Sequence, residues 1–434
     1  MSLHKLVLII PPSPWLLSDR DYVFLGPLYI SAYLKERGFE VEICDLQGVP
    51  EEYWYIPIGD IYGVTGTSPN FVYMKKIIEK LKHREPHKLV IVGGTHATVF
   101  PHHVLNHTIA DGCVVGEGER VIAKIMNNPE IFDSYPEVVG RFFPNLTPSL
   151  DFPDIDFLPF PDRDAIDFFS YLKPRTFSYL GKVNEGSIMT SRGCPFDCSF
   201  CASKKIHTNV VRYRKVNGII AELKLLYEQF EVKLINFMDD TFILNKQRVK
   251  EICERIKRDF DDNLKWFFLT RTDCIDQDLF YEMQDSGAVS VAYGFETGSN
   301  RLLRWVLNKG TTVQQSYEAI KVAKKAGLKI RGQLMVGIPT ETDEDIEYTA
   351  TFIKNSPEVD AWGLHIFQPL PGSNIWENPT KYGIKIDLDS DFSTFHTIGK
   401  PGEECADEKT LERFNYLKSI IGNKNADILA EENV

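Results

Sequence analysis

Ser191-Arg-Gly-Cys-Pro-Phe-Asp-Cys-Ser-Phe-Cys201 places three thiols, Cys194, Cys198 and Cys201, in C-x3-C-x2-C spacing. Thiolates this close together can grip a soft metal centre, and iron–sulfur clusters are held by such cysteines. No fourth cysteine stands nearby, so a 4Fe–4S cluster held here would keep one iron open to a further ligand. Structural zinc takes four ligands, usually as two spaced pairs, and His207 is the only neighbouring candidate for a fourth. Zinc and a chance grouping are the competing readings. The apolar stretch Ser187–Thr190 just before the motif reads as a strand, so the thiols fall beyond its C-terminal end.

Outward from the motif the chain continues as strand–helix units. Candidate strands are Ser187–Thr190, Leu234–Met238, Trp266–Leu269, Ser290–Gly294, Ile330–Val336 and Ala361–Phe367, with helices between them at Gly218–Gln229, Lys246–Asp259, Thr312–Ala326 and Asp343–Asn355. In barrels built from such units the chemistry sits at the strand C-termini, and the unusual residues fall there. Asp239-Asp-Thr-Phe242 follows the second strand; two adjacent carboxylates are costly unless they meet a cation or water. Arg271 follows the third strand and suits either a ligand carboxylate or a barrel acid. The later strands end in Gly294-Phe-Glu-Thr-Gly-Ser299, Gly337-Ile-Pro-Thr-Glu-Thr342 and Phe367-Gln-Pro-Leu-Pro-Gly-Ser373.

The cysteine motif, with its Gly193-Cys194-Pro195 turn and Phe200 before the third cysteine, and these strand-end segments resemble the radical SAM superfamily over about residues 5 to 376. The resemblance implies a partial (β/α)6 TIM barrel. Its open iron would chelate S-adenosylmethionine, and an electron from the cluster would split the sulfonium to a 5′-deoxyadenosyl radical, chemistry that belongs to the cofactors. It further implies that Phe200, Asp239, Asp240, Thr241, Arg271, Glu296, Gly337, Ile338 and Gln368 contact S-adenosylmethionine. Asp239, Asp240 and Thr241 would meet its amino group, Arg271 its carboxylate, Glu296 the ribose or sulfonium, and Ile338 the adenine. No catalytic side chain is assigned.

The first third of the chain alternates strands and helices: Lys5–Ile10 closed by Pro11-Pro12, a helix over Gly26–Gly38, then Phe39–Asp45, Ile61–Thr65, a helix over Tyr73–Lys82, Lys88–Val92 and Cys113–Val115. That pattern predicts a Rossmann-like, doubly wound α/β sheet, whose ligands bind beyond the strands' carboxyl ends. Glycines gather at those ends, in Thr65-Gly-Thr-Ser68, Gly93-Gly-Thr-His96 and Gly116-Glu-Gly118, where they permit close backbone approach. The order resembles the cobalamin-binding domain that precedes the barrel in one radical SAM class. The resemblance implies cobalamin contacts at Thr65, Thr67, Ser68, Gly93, Gly94, His96, Gly116, Glu117 and Gly118. The D-x-H-x-x-G signature is absent, which implies a cobalamin without a histidine ligand from the protein. The alternative is an empty Rossmann-like domain that only supports the barrel.

The domains expected are therefore 1–140 (cobalamin-binding-like), 141–185 (a linker crowded with proline and acid at Phe152–Arg163), 186–385 (half-barrel) and 386–434 (a short C-terminal segment with one helix over Asp407–Ile421). Tyr293, Trp362, His365 and His396 are candidates for a substrate pocket, though such residues more often belong to the core. A net charge of −12 disfavours nucleic acid, and the basic patch Lys204, Lys205, Arg212, Arg214 and Lys215 reads as a solvated face. Neither a bilayer-length apolar run nor a signal-peptide layout is present, and eight cysteines without a disulfide pattern suit a reduced, cytoplasmic protein. The function expected is a cobalamin-dependent radical SAM enzyme methylating an unactivated carbon of a small molecule or peptide, reduced by a flavodoxin or ferredoxin type donor. A radical cyclase, isomerase or oxidoreductase without methyl transfer, and a non-catalytic iron–sulfur protein, are the alternatives.

Overall fold

A computed structural model describes residues 4–16, 18–142, 148, 152–172, 183–260, 262–395 and 406–424. The first sheet has six strands, β1 (Lys5–Ile10), β2 (Glu40–Asp45), β3 (Ile61–Thr65), β4 (Leu89–Gly93), β5 (Gly112–Val114) and β6 (Val138–Gly140), in the order β2-β1-β3-β4-β5-β6. Strand β1 is a central strand covered on both faces, which is why it reads as an unbroken apolar run. Leu6 and Leu8 pack beneath α1 (Leu25–Lys35) and Val7 and Ile9 beneath α2 (Phe71–Arg84). Short helices α3 (Thr95–Val99) and α4 (Pro101–His107) follow β4, and α5 (Gly118–Asn127) follows β5. The first five strands run parallel, as the sequence pattern requires. Strand β6 pairs antiparallel with β5, Cys113 opposite Val139. The sequence reading assigned no strand there, because three residues are too few to show a period.

The second sheet is a curled half-barrel. It contains β7 (Asn184–Ile188), β10 (Val232–Phe237), β11 (Lys265–Thr270), β12 (Ala288–Glu296), β13 (Lys329–Val336) and β14 (Ala361–Ile366), all parallel and each beside its neighbour in sequence. Between β7 and β10 lie the two-residue strands β8 (Ser191–Arg192) and β9 (Arg212–Tyr213), paired antiparallel. They pinch the cysteine loop at its base. Gly193, at φ +104°, allows the closure, since a Cβ there would lie 2.5 Å from the Val210 carbonyl oxygen. Helix α6 (Ser203–His207) lies within this loop, and α7 (Val216–Gln229), α8 (Lys246–Phe260), α9 (Gln277–Asp285), α10 (Val313–Lys325) and α11 (Asp343–Lys354) cover the convex face. Thr312 and Thr342 begin α10 and α11 with capping boxes. Among the described residues no helix is long and apolar enough to cross a membrane.

The C-terminal residues divide between the two sheets. After α12 (Asn374–Glu377), Trp376 and Phe392 join the core of the first domain, with Ile386 and Phe395 packed beside them. Helix α13 (Glu408–Ile421) returns to the half-barrel, where Phe414, Leu417 and Ile421 enter the main core.

Candidate active site

The cysteine loop is held by backbone bonds from several directions. The Cys194 N–H donates to the Thr208 carbonyl at 3.3 Å, the Ser199 N–H to Leu307 at 2.7 Å, and the Ile375 N–H back to Ser199 at 2.9 Å. Two sulfurs accept hydrogen bonds: Cys198 from Arg271 Nη1 at 3.2 Å and Cys201 from the Ser203 N–H at 3.4 Å. Cys194 Sγ lies 4.0 Å from Thr241 Oγ1. These donors favour the thiolate, the form that ligates metal, against burial, which pushes all three thiols up. Among the described residues no group of three His, Cys, Asp or Glu is arranged to hold a single ion. His207, which a zinc site would need, instead lies 3.6 Å from Glu117.

The strand ends converge beside this loop. Glu296 ends β12 at φ +65°, in the left-handed region, just after a register break, and pairs with buried Lys309 at 2.7 Å. A non-glycine residue there is strained, and such strain gathers at functional sites. Ile338, 2% exposed, sits among Leu302, Leu303, Phe367 and Ile375, with Phe200 packed on the same cluster. Gly337 turns at φ +82° and donates its N–H to Glu341 Oε2 at 2.9 Å. Burial pushes the Glu341 carboxyl up to about 7. Gln368 Nε2 donates to the Thr394 carbonyl at 3.3 Å.

Two strand-end expectations change. Asp239, 1% exposed, accepts the Thr190 N–H at 2.6 Å, the Ser191 hydroxyl at 2.7 Å and the Thr190 hydroxyl. Its oxygens are spent tying the ends of β7 and β10 together, so the chain itself compensates this charge. Exposed Asp240, bonded to the Ser203 hydroxyl at 2.6 Å, and buried Thr241 are the members beside the cysteines. Arg271 is engaged by Asp273 at 2.9 and 2.7 Å and stacks 3.7 Å over Phe196. It is a barrel-acid partner that also touches a cysteine sulfur. Tyr293 and Trp362 are core residues, His365 faces the barrel interior, and His396 lies outside the described residues.

A cavity of about 290 Å³ opens at the C-terminal ends of β3, β4 and β5. Thr65, Thr67, Gly93, Gly94, Gly116, Glu117 and Gly118 line it on the first-domain side, and Met189, Arg192, Ile206, His207 and Met238 on the half-barrel side. A Cβ on Gly93 would meet nothing within 4 Å, so the glycine faces open space. Ser68 and His96 do not line the cavity. The Ser68 hydroxyl and His96 Nδ1 bond each other at 2.9 Å, and His96 Nε2 lies 3.1 Å from His103 Nδ1, inside an aromatic cluster with Phe71 and Phe392.

Charge pairs that the sequence did not reveal join the domains across this cavity. Arg192 reaches Glu117 and Glu119, each at 2.9 Å, and Arg212 reaches Glu117 at 2.9 Å. Burial would raise the Glu117 carboxyl, but the Arg212 hydrogen bond and the Arg192 charge hold it near 2. Arg214 is likewise buried against Glu222. The expected solvated basic patch therefore exists only at Lys204, Lys205 and Lys215. Arginines flanking a cysteine loop and glutamates alternating with glycine were the available signal, but their pairing was not legible without the fold.

The radical SAM superfamily model matches residues 188–353, and the B12 binding domain model matches residues 19–126. An uncharacterized methyltransferase of Pyrococcus horikoshii is 30% identical over 395 residues, spanning 87% of this chain and 83% of that one. An anaerobic magnesium-protoporphyrin IX monomethyl ester cyclase of Rubrivivax gelatinosus is 26% identical, and this chain spans 61% of its length. The radical S-adenosylmethionine methyltransferase TsrM of Kitasatospora setae, solved with cobalamin and a [4Fe-4S] cluster bound, superimposes with a TM-score of 0.70 at 18% identity, covering 86% of this chain and 77% of that one. At that identity the likeness concerns the fold.

Proposed function

This chain belongs to the radical SAM superfamily, with a B12 binding domain ahead of its half-barrel, and we propose that it is a cobalamin-dependent methyltransferase acting on a carbon of a small-molecule substrate. The observation that carries the proposal is the single cavity lined at once by the glycine turns of the first domain and by α6 and the strand ends beside the cysteines. A cobalamin held by the first-domain turns would face Arg192 and the α6 residues Ile206 and His207, which belong to the cluster loop or flank it. The donor set fits the groups: soft sulfurs accepting N–H bonds suit an iron–sulfur cluster, and an open glycine cradle suits a bulky planar ligand.

Cys194, Cys198 and Cys201 would hold the cluster, Asp240, Thr241 and Glu296 the polar parts of S-adenosylmethionine, and Ile338 its adenine face. Bound, these groups supply a radical able to take hydrogen from an unactivated carbon, and cobalamin supplies a transferable methyl group. The chain's own contribution is position and exclusion of water. Arg271 orients the Cys198 sulfur, Lys309 neutralises Glu296 at the strained strand end, and the Leu302, Phe367 and Ile375 cluster keeps the adenine side dry. The methyltransferase of P. horikoshii supports methyl transfer by likeness, and the TsrM structure with tryptophan substrate supports a small-molecule substrate. The cyclase of R. gelatinosus supports a second reading, radical chemistry without methyl delivery.

Anaerobic purification with iron, sulfide and cobalamin reconstitution, then a reductant-driven assay, tests the proposal. The expected result is retained cobalamin with both S-adenosylhomocysteine and 5′-deoxyadenosine released, and loss of the cluster's visible absorbance in Cys198→Ala. Release of 5′-deoxyadenosine alone, with no cobalamin retained, would favour the second reading.

A further inference from the structure

Among the described residues, Arg331 on the concave face of the half-barrel is a cation without a hydrogen-bonded or ionic partner. On β13, Ile330, Leu334 and Val336 enter the core beneath the helices, so the alternating residues Arg331, Gln333 and Met335 face the lumen. Arg331 makes no hydrogen bond or ion pair among the described residues, and its Nε is fully enclosed and unpaired. Arg163 and Arg214 pair with Glu222 and Arg271 with Asp273, while Arg248 bonds the Arg214 and Thr190 carbonyls and feels the buried Asp239 charge. A partly buried guanidinium without a counter-charge is costly to the fold, and fixed charges that cost stability are a mark of binding sites.

Its surroundings are those of a ligand site. His365, on the adjoining strand, donates Nε2–H to Gln333 Oε1 at 3.0 Å, which leaves its Nδ1 lone pair facing the lumen. The register pairs Arg331 with Ala361 and Met335 with His365, so His365 stands four positions nearer the barrel mouth. Its imidazole nevertheless feels the Arg331 charge, which together with burial pushes it down to about 4. Among the described residues no acid pairs with the guanidinium, and His365 above it is neutral. Leu269 and Ala292 lie in register with Arg331 across the sheet and give the lumen an apolar wall.

We propose that Arg331, with Gln333 and His365 farther up the same lumen, anchors an anionic group of the substrate, a carboxylate or a phosphoryl group, inside the half-barrel. This rests on the lumen being where the substrate meets the radical. Arg331 lies six residues before Gly337, roughly 20 Å down the strand at about 3.3 Å per residue, which separates it from the turn assigned to the adenine. The guanidinium fork would take the oxyanion in a bidentate pair, and His365 Nδ1 would accept from a neighbouring hydroxyl or amine of the same molecule.

Melting of the full-length chain at constant ionic strength, with benzoate, phenyl phosphate or neutral benzamide as probe, tests this. Benzoate or phenyl phosphate should raise the wild-type melting temperature by several degrees while benzamide does not. A shift with benzoate marks a carboxylate substrate, and one with phenyl phosphate a phosphorylated one. Arg331→Met should abolish the shift and, unlike the loss of a structural residue, should melt at or above the wild type without probe. Arg331→Lys, which keeps the charge but loses the fork, should show a reduced shift, and it serves if the methionine variant does not fold. Equal shifts with benzamide, no shift with either anion, an undiminished shift in both variants, or a shift abolished by prior S-adenosylmethionine would overturn the proposal. A wild type that releases no 5′-deoxyadenosine would sink the radical reading separately, leaving the melting result to stand alone.

Discussion

His96 is driven down to about 3 by its burial and by His103, and His103 down to about 4 by burial and by His107. His103 Nε2 must donate to the Ser390 carbonyl, 3.0 Å away, since a carbonyl only accepts. Its Nδ1 is then bare and takes the His96 Nε2–H, and His96 Nδ1 takes the Ser68 hydroxyl proton, so the pair is locked neutral. With His365, three imidazoles have folded values well below the unfolded value near 6.5. A depressed histidine contributes stability that is present above its unfolded value and lost as pH falls toward the folded one, at most about 1.4 kcal/mol per pH unit each. Glu341, raised to about 7, has the opposite sign: its contribution is complete below the unfolded value near 4.5 and is lost as pH rises through 7. Between pH 6.5 and 5 three effects oppose one, so acidification should destabilise the chain by about 2 to 3 kcal/mol. Urea titrations across that window should show it, and His365→Gln should flatten the slope by about half. A level profile in the wild type would mean these histidines take up protons without unfolding. None of this pairing was legible in the sequence, where His96 stood in a glycine turn and resembled a cofactor contact; only the fold brings Ser68, His103 and Ser390 around it.

Elements were legible in proportion to their length and period. The helix over Asp407–Ile421 was readable because Phe414, Leu417 and Ile421 recur on one face and Asp407 stands ready as its cap, accepting the Thr410 N–H at 2.7 Å. Its docking against α11, β13 and β14 was not readable, because an apolar stripe names no partner. The cysteine loop announced its chemistry through spacing alone, yet the β8–β9 clasp that closes it is two residues a side and carries no period. The docking of α13 has a consequence for the site: Thr410 Cγ2 would lie 2.9 Å from a Cβ on Gly337, and Arg413 donates to the Glu341 carbonyl at 3.2 Å. The helix therefore braces the turn assigned to the adenine. Phe414→Ala should cost about 3 to 5 kcal/mol, the usual cost of emptying a packed aromatic site, and should weaken S-adenosylmethionine binding as well. Tyr416→Ala, on the helix's more exposed face, should stay within about 0.5 kcal/mol. Denaturant unfolding and S-adenosylmethionine titration of both variants check this, and equal losses would mean that α13 is not docked as described.

At the scale of the whole molecule, the two sheets are joined by charges that would be expensive apart. Arg192 is 7% exposed and Glu119 3%, and among the described residues Glu119 has no other charged partner, one of its oxygens being enclosed and unbonded. Glu117, by contrast, keeps Arg212 and the nearby His207 whatever happens to Arg192. A buried ion pair adds little net stability, because desolvation of both partners offsets their attraction, but removing one partner strands the other. Arg192→Met should therefore destabilise the chain by about 3 to 5 kcal/mol, mostly through the stranded Glu119 carboxylate. Adding Glu119→Gln to it removes that charge and should restore at least half of the loss. Since Arg192 lines the cavity between the domains, the single variant should also retain less cobalamin than the wild type after gel filtration. Calorimetric melting of the wild type, both single variants and the double variant gives the coupling directly. A double variant less stable than Arg192→Met would mean that Glu119 holds the domains together through some contact other than this arginine.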